Sequence, residues 1–355
     1  MATPTSPEKR LHARGFKKAS EWGTAVALGA GDEVVLEEPS GLQPPEIPII
    51  SDKGSDRPYV RHSDFGLKPS RDFVLPVAMR YEPGAFGTLL AMLFGTAGAP
   101  TDLTGAYQHV FQWKDEISSL FGTWAEERAG KIFEVPSAKP YRLELSFSGG
   151  MLKARISMRG DNCIDTSTVN QATQMDALTV PANFDSTAIR FKQGSVKINA
   201  ENNGDVSTEN ALVLTDFSVV LERLLEGDDN LHTVGTDTII EPLEEDAGGA
   251  ERALVTLRFP RMNAGNATYL TTALAETTQK MLIKFTGALI SGSNYYDLAL
   301  YFPRLKMQIP TFDVEQIVRS GLVLQAEEAA AAPTGMSYAR LYAELINNMA
   351  TDYLA

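Results

Sequence analysis

Residues 141–159 read YRLELSFSGGMLKARISMR, and this stretch decides the fold class. Apolar and polar side chains alternate on both sides of Gly149-Gly150, as they do on strands that turn one face toward a core. Two glycines between two such runs are typical of a tight turn, because glycine tolerates positive φ angles. The stretch therefore predicts a β-hairpin.

The same alternation recurs along most of the chain, separated by clusters of Asn, Gly, Asp and Pro, and predicts further strands. Helices are few and short: residues 86–93 show helical spacing before Gly95, and a second helix is predicted to start at Asn266 as its N-cap. Asn203-Gly204 predicts another hairpin turn. The other predicted strands are 73–81, 107–113, 195–199, 212–225, 253–259, 280–286, 295–302 and 316–325.

Composition and charge narrow the function classes. The 355 residues are 43% apolar and 22% charged, which is typical of a globular protein of two domains or one large β domain. The net charge of −13 argues against tight sequence-specific binding of nucleic acid. Cys163 is the single cysteine, which excludes a disulfide framework, and we expect it to be a small buried residue. A signal peptide and a transmembrane segment are both missing, which predicts a soluble protein made in a reducing compartment.

Motifs that carry chemistry are not recognisable in the sequence. The four histidines, His12, His62, His109 and His232, show no metal-binding spacing, and His109 is interpreted as a structural residue on the apolar face of a strand. Neither a phosphate-binding glycine loop nor a nucleophile elbow is present. We therefore expect a protein that is not an enzyme and that has no cofactor, no metal and no catalytic residues.

An internal repeat is the most informative feature of the chain. Residues 71–95 align with 252–276, and each copy reads strand, glycine turn, short helix. The run 141–147 recurs as 296–302, and Leu152-Lys153-x-x-Ile156 recurs as Leu305-Lys306-x-x-Ile309. The common order of these blocks indicates a duplication, with an insertion in the first copy. The predicted modules are 1–185 and 186–355.

A long segment with little regular pattern precedes the repeated block in each half, namely 39–70 and the acidic 227–250. Loops of this length in a compact domain usually have a function, although mobile surface loops are the alternative. We predict that both loops contact a neighbouring subunit or ring. The residues proposed for these contacts are Pro44, Pro45, Ile47, Ile49, Asp52, Asp228, Asp229, Glu244 and Glu245.

Three short motifs give a resemblance to a known family. Residues 21–26 (EWGTAV) resemble the Trp-Gly-Thr start of tail tube proteins, also called major tail proteins, of long-tailed siphophage-like bacteriophages. Residues 105–111 (GAYQHVF) resemble that family's aromatic-His-x-Phe strand, and the closing LINN of 345–348 through Tyr353 resembles its terminal strand. The last segment also has helical spacing, at Tyr338, Leu341, Leu345 and Met349, so helix and strand compete there.

The resemblance implies a mainly β fold with two tandem tail-tube-type β-sandwich modules. Each module would carry a short flanking helix, and the inner sheets would form a shared β-barrel around a channel. The chain would build trimeric rings with pseudo-six-fold symmetry, or hexamers, stacked into the tail tube of the virion after synthesis in the host cytoplasm. Its implied partners are further copies of itself, the tape measure, terminator and distal tail proteins, and phage DNA in transit without sequence-specific binding. A membrane is not among them.

Two other functions fit the composition. A different phage structural component, such as a distal tail ring or capsid decoration protein, would share the β content. A β-sandwich carbohydrate-active enzyme would need paired carboxylates in an aromatic cleft, whereas Trp22, Trp113 and Trp124 are scattered. For a tube, we expect acidic residues along the bore, with Lys153 and Arg155 at subunit contacts or outside.

Overall fold

Strands dominate the computed structural model, which describes residues 13–42, 49–52, 62–65, 70–128, 130–148, 150–227, 230–233, 238–244, 252–309, 311–314 and 318–355. Most of the strands belong to one large antiparallel sheet, and β2 and β3 form a separate pair. The helices are α1 (Ala85–Phe94), α2 (Ala172–Asp176) and α3 (Ala264–Leu274). The strands are β1 (Arg14–Lys18), β2 (Ile49–Asp52), β3 (His62–Phe65), β4 (Arg71–Ala78), β5 (Thr101–Asp102), β6 (Tyr107–Gln112), β7 (Gly122–Arg128), β8 (Lys131–Ser148), β9 (Met151–Gly160), β10 (Gly194–Ala200), β11 (Asp216–Glu222), β12 (Arg252–Arg258), β13 (Gln279–Ser291), β14 (Asn294–Met307), β15 (Thr311–Val314), β16 (Val318–Glu327) and β17 (Tyr342–Asn347).

The hairpin predicted at 141–159 is confirmed as β8 and β9. Phe147 faces Leu152 and Ser148 faces Met151, and Gly150 takes a φ of 77° at the turn. β8 begins ten residues before the predicted strand, at Lys131. Its first part was not visible as an alternating run because Pro136 and Pro140 interrupt the pattern, and β7 pairs with it there.

The predicted first helix is confirmed as α1. Gly95 ends it in the left-handed conformation, with φ 91°, and its N–H donates to the carbonyl of Ala91. Nearly every side chain of α1 is buried, since the helix packs against β1, β6 and β8. α1 is therefore a core helix that covers one face of the sheet.

The start of the second predicted helix was misplaced by three residues. Asn263 is the N-cap of α3, and its side chain accepts a hydrogen bond from the Asn266 N–H at 2.9 Å. The side-chain oxygen of Asn266 in turn accepts from the Asn263 N–H at 2.7 Å, so the two residues form a reciprocal capping box. Because both ends of the box are Asn, the sequence did not show which one was the cap.

The hairpin turn predicted at Asn203-Gly204 is wrong. β10 pairs with β13, whose facing residues lie 79 to 91 positions later in the chain, instead of with β11. This pairing buries Val196 and Ile198, and Lys280 of β13 holds the loop by donating to the carbonyl of Asn203 at 2.8 Å. Gly204 does not adopt a positive φ, so burial in a non-local ladder overrides the local turn signal.

The C-terminal segment forms a strand, as the resemblance implied, and its helical spacing does not produce a helix. β17 lies between β14 and β6, with Leu345 facing Leu298 on one side and His109 on the other. β17 has a strand on both sides from Tyr342 to Ile346, and Leu345 is buried. The strand thus ties the C-terminus to both halves of the sheet.

The two halves share one order of strand pairing. In the first half the order is β1-β7-β8-β9-β4, and α1 follows β4 along the chain. In the second half it is β10-β13-β14-β16-β12, and α3 follows β12. The strand–helix blocks 71–95 and 252–276, aligned in the sequence, thus occupy matching positions in the sheet. The predicted boundary at residue 185 falls between β9 and β10, although β11 and β17 join the halves into one sheet.

The later part of the sequence repeat was aligned wrongly. Phe73 faces Met158, and Leu254, which is 181 positions after Phe73, faces Gln325. Met158 in turn faces Pro140, whereas Gln325 faces Lys306. The counterpart of Pro140 is therefore Lys306. The run 141–147 follows Pro140 along β8, whereas the run 296–302 precedes Lys306 along β14, so these two runs do not occupy matching positions.

The aligned blocks 152–156 and 305–309 also lie at different positions in the two halves. Leu305 and Lys306 lie on β14, the same strand as the run 296–302, whereas Leu152 and Lys153 lie across a turn from 141–147. The hairpin that matches β8–β9 is formed by β15 and β16. The sequence likeness of these blocks reflects the alternation that any half-buried strand has.

Candidate assembly surface

Six of the nine predicted contact residues lie outside the described residues: Pro44, Pro45, Ile47, Asp228, Asp229 and Glu245. Ile49 and Asp52 are the end residues of β2, where they face Phe65 and His62 of β3. Segment 39–70 thus contains a pair of short antiparallel strands that is separate from the main sheet. Glu244 is described, and it lies on the acidic segment 238–244.

Segment 238–244 is fastened to the first half of the sheet. Trp22 donates its indole N–H to the carbonyl of Ile239 at 2.8 Å, and Lys139 pairs with Glu241 at 2.6 Å. Lys139 also donates to the carbonyl of Pro242 at 3.0 Å. Its ammonium is buried, and this burial lowers the pKa of Lys139, opposed by the charge of Glu241.

Arg223 makes the second attachment of this segment. Its guanidinium pairs with Glu244 at 2.6 Å and donates to the carbonyl of Leu93 at 2.6 Å and of Phe94 at 3.2 Å. The two carbonyls belong to the last turn of α1, where the helix dipole favours a cation. The guanidinium also lies 3.9 Å from the ring centre of Trp113. Glu244 therefore has a partner within its own chain, and its contact with a neighbouring subunit stays a prediction.

One strand joins the repeated halves at the centre of the sheet. β11 faces β12 on one side, where Val219 is opposite Val255, and β8 on the other, where Val219 is opposite Leu145. All three side chains are buried. The junction therefore makes a continuous sheet from β4 to β16 through β9, β8, β11 and β12.

The face of this central sheet opposite α1 is polar, and its charges are mixed. Ion pairs across it include Arg142 with Glu144 at 2.5 Å and Arg304 with Glu327 at 3.2 Å. Lys153 pairs with Glu37 at 2.9 Å, whereas Arg155 is exposed. Among the described side chains on this face, the basic ones outnumber the acidic ones. The basic ones are Arg142, Lys153, Arg155, Arg159, Arg258, Arg304 and Lys306, and the acidic ones are Asp72, Glu144, Asp216, Glu222 and Glu327.

A network of buried polar groups around the C-terminus was not predicted from the sequence. Asn347 donates to the carbonyl of Tyr81 at 3.0 Å and to the Tyr353 hydroxyl at 2.9 Å. His109 is buried, as predicted, and its Nε2 donates to the carbonyl of Met349 at 2.9 Å. The cluster fixes the C-terminal segment over the first half, and its sequence signals were the LINN motif through Tyr353 and the motif that contains His109.

The chemistry-bearing residues of the described chain are dispersed. Among the described residues, no group of three or more His, Cys, Asp or Glu could hold a metal ion. Cys163 is buried, as predicted, and burial raises the pKa of its thiol to about 11. A cleft of about 380 Å³ beside Trp113 contains Arg340, which already pairs with Asp115 and with Glu328. Within the described residues, none of the helices has the length and apolar composition needed to cross a bilayer.

Comparison of the sequence with known proteins gives no match to any family model and no significant match to a curated protein.

Proposed function

We propose that this chain is a structural virion protein that polymerises as stacked rings into the tail tube of a long-tailed bacteriophage, a channel for genome passage. In this assembly each half of the chain acts as one tube-type β module. The inner sheets of successive modules form a shared β-barrel, so three chains make a ring with pseudo-six-fold symmetry. The observation that carries the proposal is the repeated pairing order joined through β11.

The repeated order supports a ring because it already contains one module-to-module junction. β11 extends the first sheet into the second by a backbone ladder buried on one face. A junction of that kind can be repeated from one subunit to the next until the sheet closes, and closure removes the exposed strand edges that promote aggregation. In such a closed ring, the polar face opposite α1 lines the channel.

The charges of the polar face change the expectation for that wall. We expected acidic residues to line the bore, but the described charges on this face are mixed, with basic residues in excess. Most of the basic groups are held by carboxylates of the same chain, such as Arg159 by Asp72 at 2.9 Å. A paired guanidinium binds phosphate less strongly, so a neutralised wall also lets DNA slide. In our proposal, pairing rather than an acidic lining limits adhesion of the genome.

Electron microscopy of the purified protein tests the proposal. We expect hollow tubes of stacked rings that grow with protein concentration. Single rings or trimers that never stack would instead indicate a distal tail ring or capsid decoration protein. A chain that stays monomeric at all concentrations, with purified tail completion proteins present, would overturn both assignments.

A further inference from the structure

We propose a specific interface between copies of this chain: the strand edge formed by residues 307–309 and 311–314 of one copy receives residues 37–40 of the next copy. The inference rests on the proposed function, since it names the contact that would close the ring. Its occupant is a second copy of this chain. The argument comes from the junction that β11 makes inside one chain.

Residues 37–40 take the same position beside β4 that β11 takes beside β12. The N–H of Glu37 donates to the carbonyl of Pro76 at 2.9 Å, and the N–H of Val74 donates to the carbonyl of Ser40 at 3.0 Å. Pro76 and Val74 correspond, by the shift of 181 positions, to Leu257 and Val255 of β12. The β11 residues that face these two are Phe217 and Val219. Residues 37–40 are therefore the counterpart of β11 in the first half.

β11 pairs with a strand on each of its two sides, whereas its counterpart, residues 37–40, pairs with a described strand on one side. Among the described residues, no strand pairs with the outer side of 37–40. Glu38 and Pro39 are exposed there. Pro39 has no N–H to donate, which discourages indiscriminate pairing at this edge.

The edge that would receive this segment is found in the same way. Inside the chain β11 contacts residues 142–146 of β8. Met158 of β9 corresponds to Gln325 of β16, so Lys153 corresponds to Ser320, five positions earlier in each strand. Lys153 faces Ser146 of β8, and Ser320 faces Phe312 of β15. Residues 307–309 and 311–312 are thus the counterpart of the β8 segment that pairs with β11.

This second edge is also open within the described part of the chain. β15 pairs there with β16 alone, and the edge that corresponds to the β11 side of β8 carries no described strand. Ile309, which lies between β14 and β15 at this edge, has 65% of its surface exposed and offers an apolar contact to a neighbouring segment. Each copy therefore offers one donor segment and one acceptor edge that differ from each other. Such a head-to-tail contact closes into a ring or continues as a filament.

Engineered disulfides test the interface. The variant Glu38→Cys with Phe312→Cys places a cysteine on each proposed surface, and mild oxidation should give covalent oligomers on a non-reducing gel, with a three-chain species prominent. The matched control is Ser146→Cys with Ser218→Cys, since these residues face each other across the internal junction. The control should form an intrachain disulfide and migrate as a monomer. The buried Cys163 does not compete for oxidation.

The outcomes separate this inference from the proposed function. Tubes that form normally while the Glu38/Phe312 pair gives no intermolecular crosslink would overturn the interface and leave the tube assignment standing. Crosslinked closed rings that never stack would support the interface and contradict the tube. As a second measurement, Ile309→Lys should lower assembly at least tenfold without changing the thermal unfolding of the monomer; unchanged assembly would count against the proposed edge.

Discussion

Replacing Arg223 by Met removes the attachment between the acidic segment and α1. Arg223 is 1% exposed, and its guanidinium is shared by Glu244, two carbonyls of the last turn of α1 and the face of Trp113. Removing one partner of a buried ion pair costs about 3–5 kcal/mol, because the remaining charge has lost its compensation. We expect Arg223→Met to lower the free energy of unfolding by that amount.

Urea denaturation followed by tryptophan fluorescence, at a concentration at which the protein is monomeric, measures the effect. The matched control is Arg258→Met, since Arg258 is exposed on β12, and its change should stay within about 0.5 kcal/mol. The double variant Arg223→Met with Glu244→Gln should lose about 1–2 kcal/mol less than the sum of the single changes, because the stranded carboxylate is gone. A loss below about 1 kcal/mol for Arg223→Met would refute the view that this pair fastens the segment.

Three further predictions follow from the same structure. Phe302→Ala should lower stability by about 3–5 kcal/mol and Phe147→Ala by less, because Phe302 is fully buried and Phe147 is half-buried; equal losses in urea denaturation would contradict the packing described. Burial raises the pKa of Asp161 from 3.8 to about 6, so its charge destabilises the folded chain at neutral pH, and this penalty shrinks as pH falls from 6 toward 3.8. Asp161→Asn should therefore be more favourable, relative to the wild type, at pH 7.5 than at pH 4.5 by about 2 kcal/mol, which denaturation at the two pH values measures; no pH dependence would count against the buried carboxylate. Deletion of residues 44–53 should leave a folded protein, by circular dichroism, that fails to polymerise; normal tubes from the deletion would remove that loop from the proposed contacts.

The sequence predicted the features that depend on neighbouring residues. The alternation of apolar and polar residues located the β8–β9 hairpin, and the helical spacing of apolar residues before Gly95 located α1, because these signals arise from residues close together in the sequence. Partner choice depends on burial between distant segments, so the pairing of β10 with β13 and the place of β14 in the repeat could not be read from alternation. The same limit applies to the attachment of segment 238–244, where Trp22 reaches a carbonyl 217 positions away.

The central claim is that the repeated halves act as equivalent modules of a tube wall. Cryo-electron microscopy of the assembled protein tests it most directly, by the number of chains in each ring and the path of β4 and β12 around the channel. We predict a hollow tube of stacked three-chain rings in which β4 and β12 alternate as six similar positions. A polymer in which these two strands lie in different environments, or one without a central channel, would contradict it.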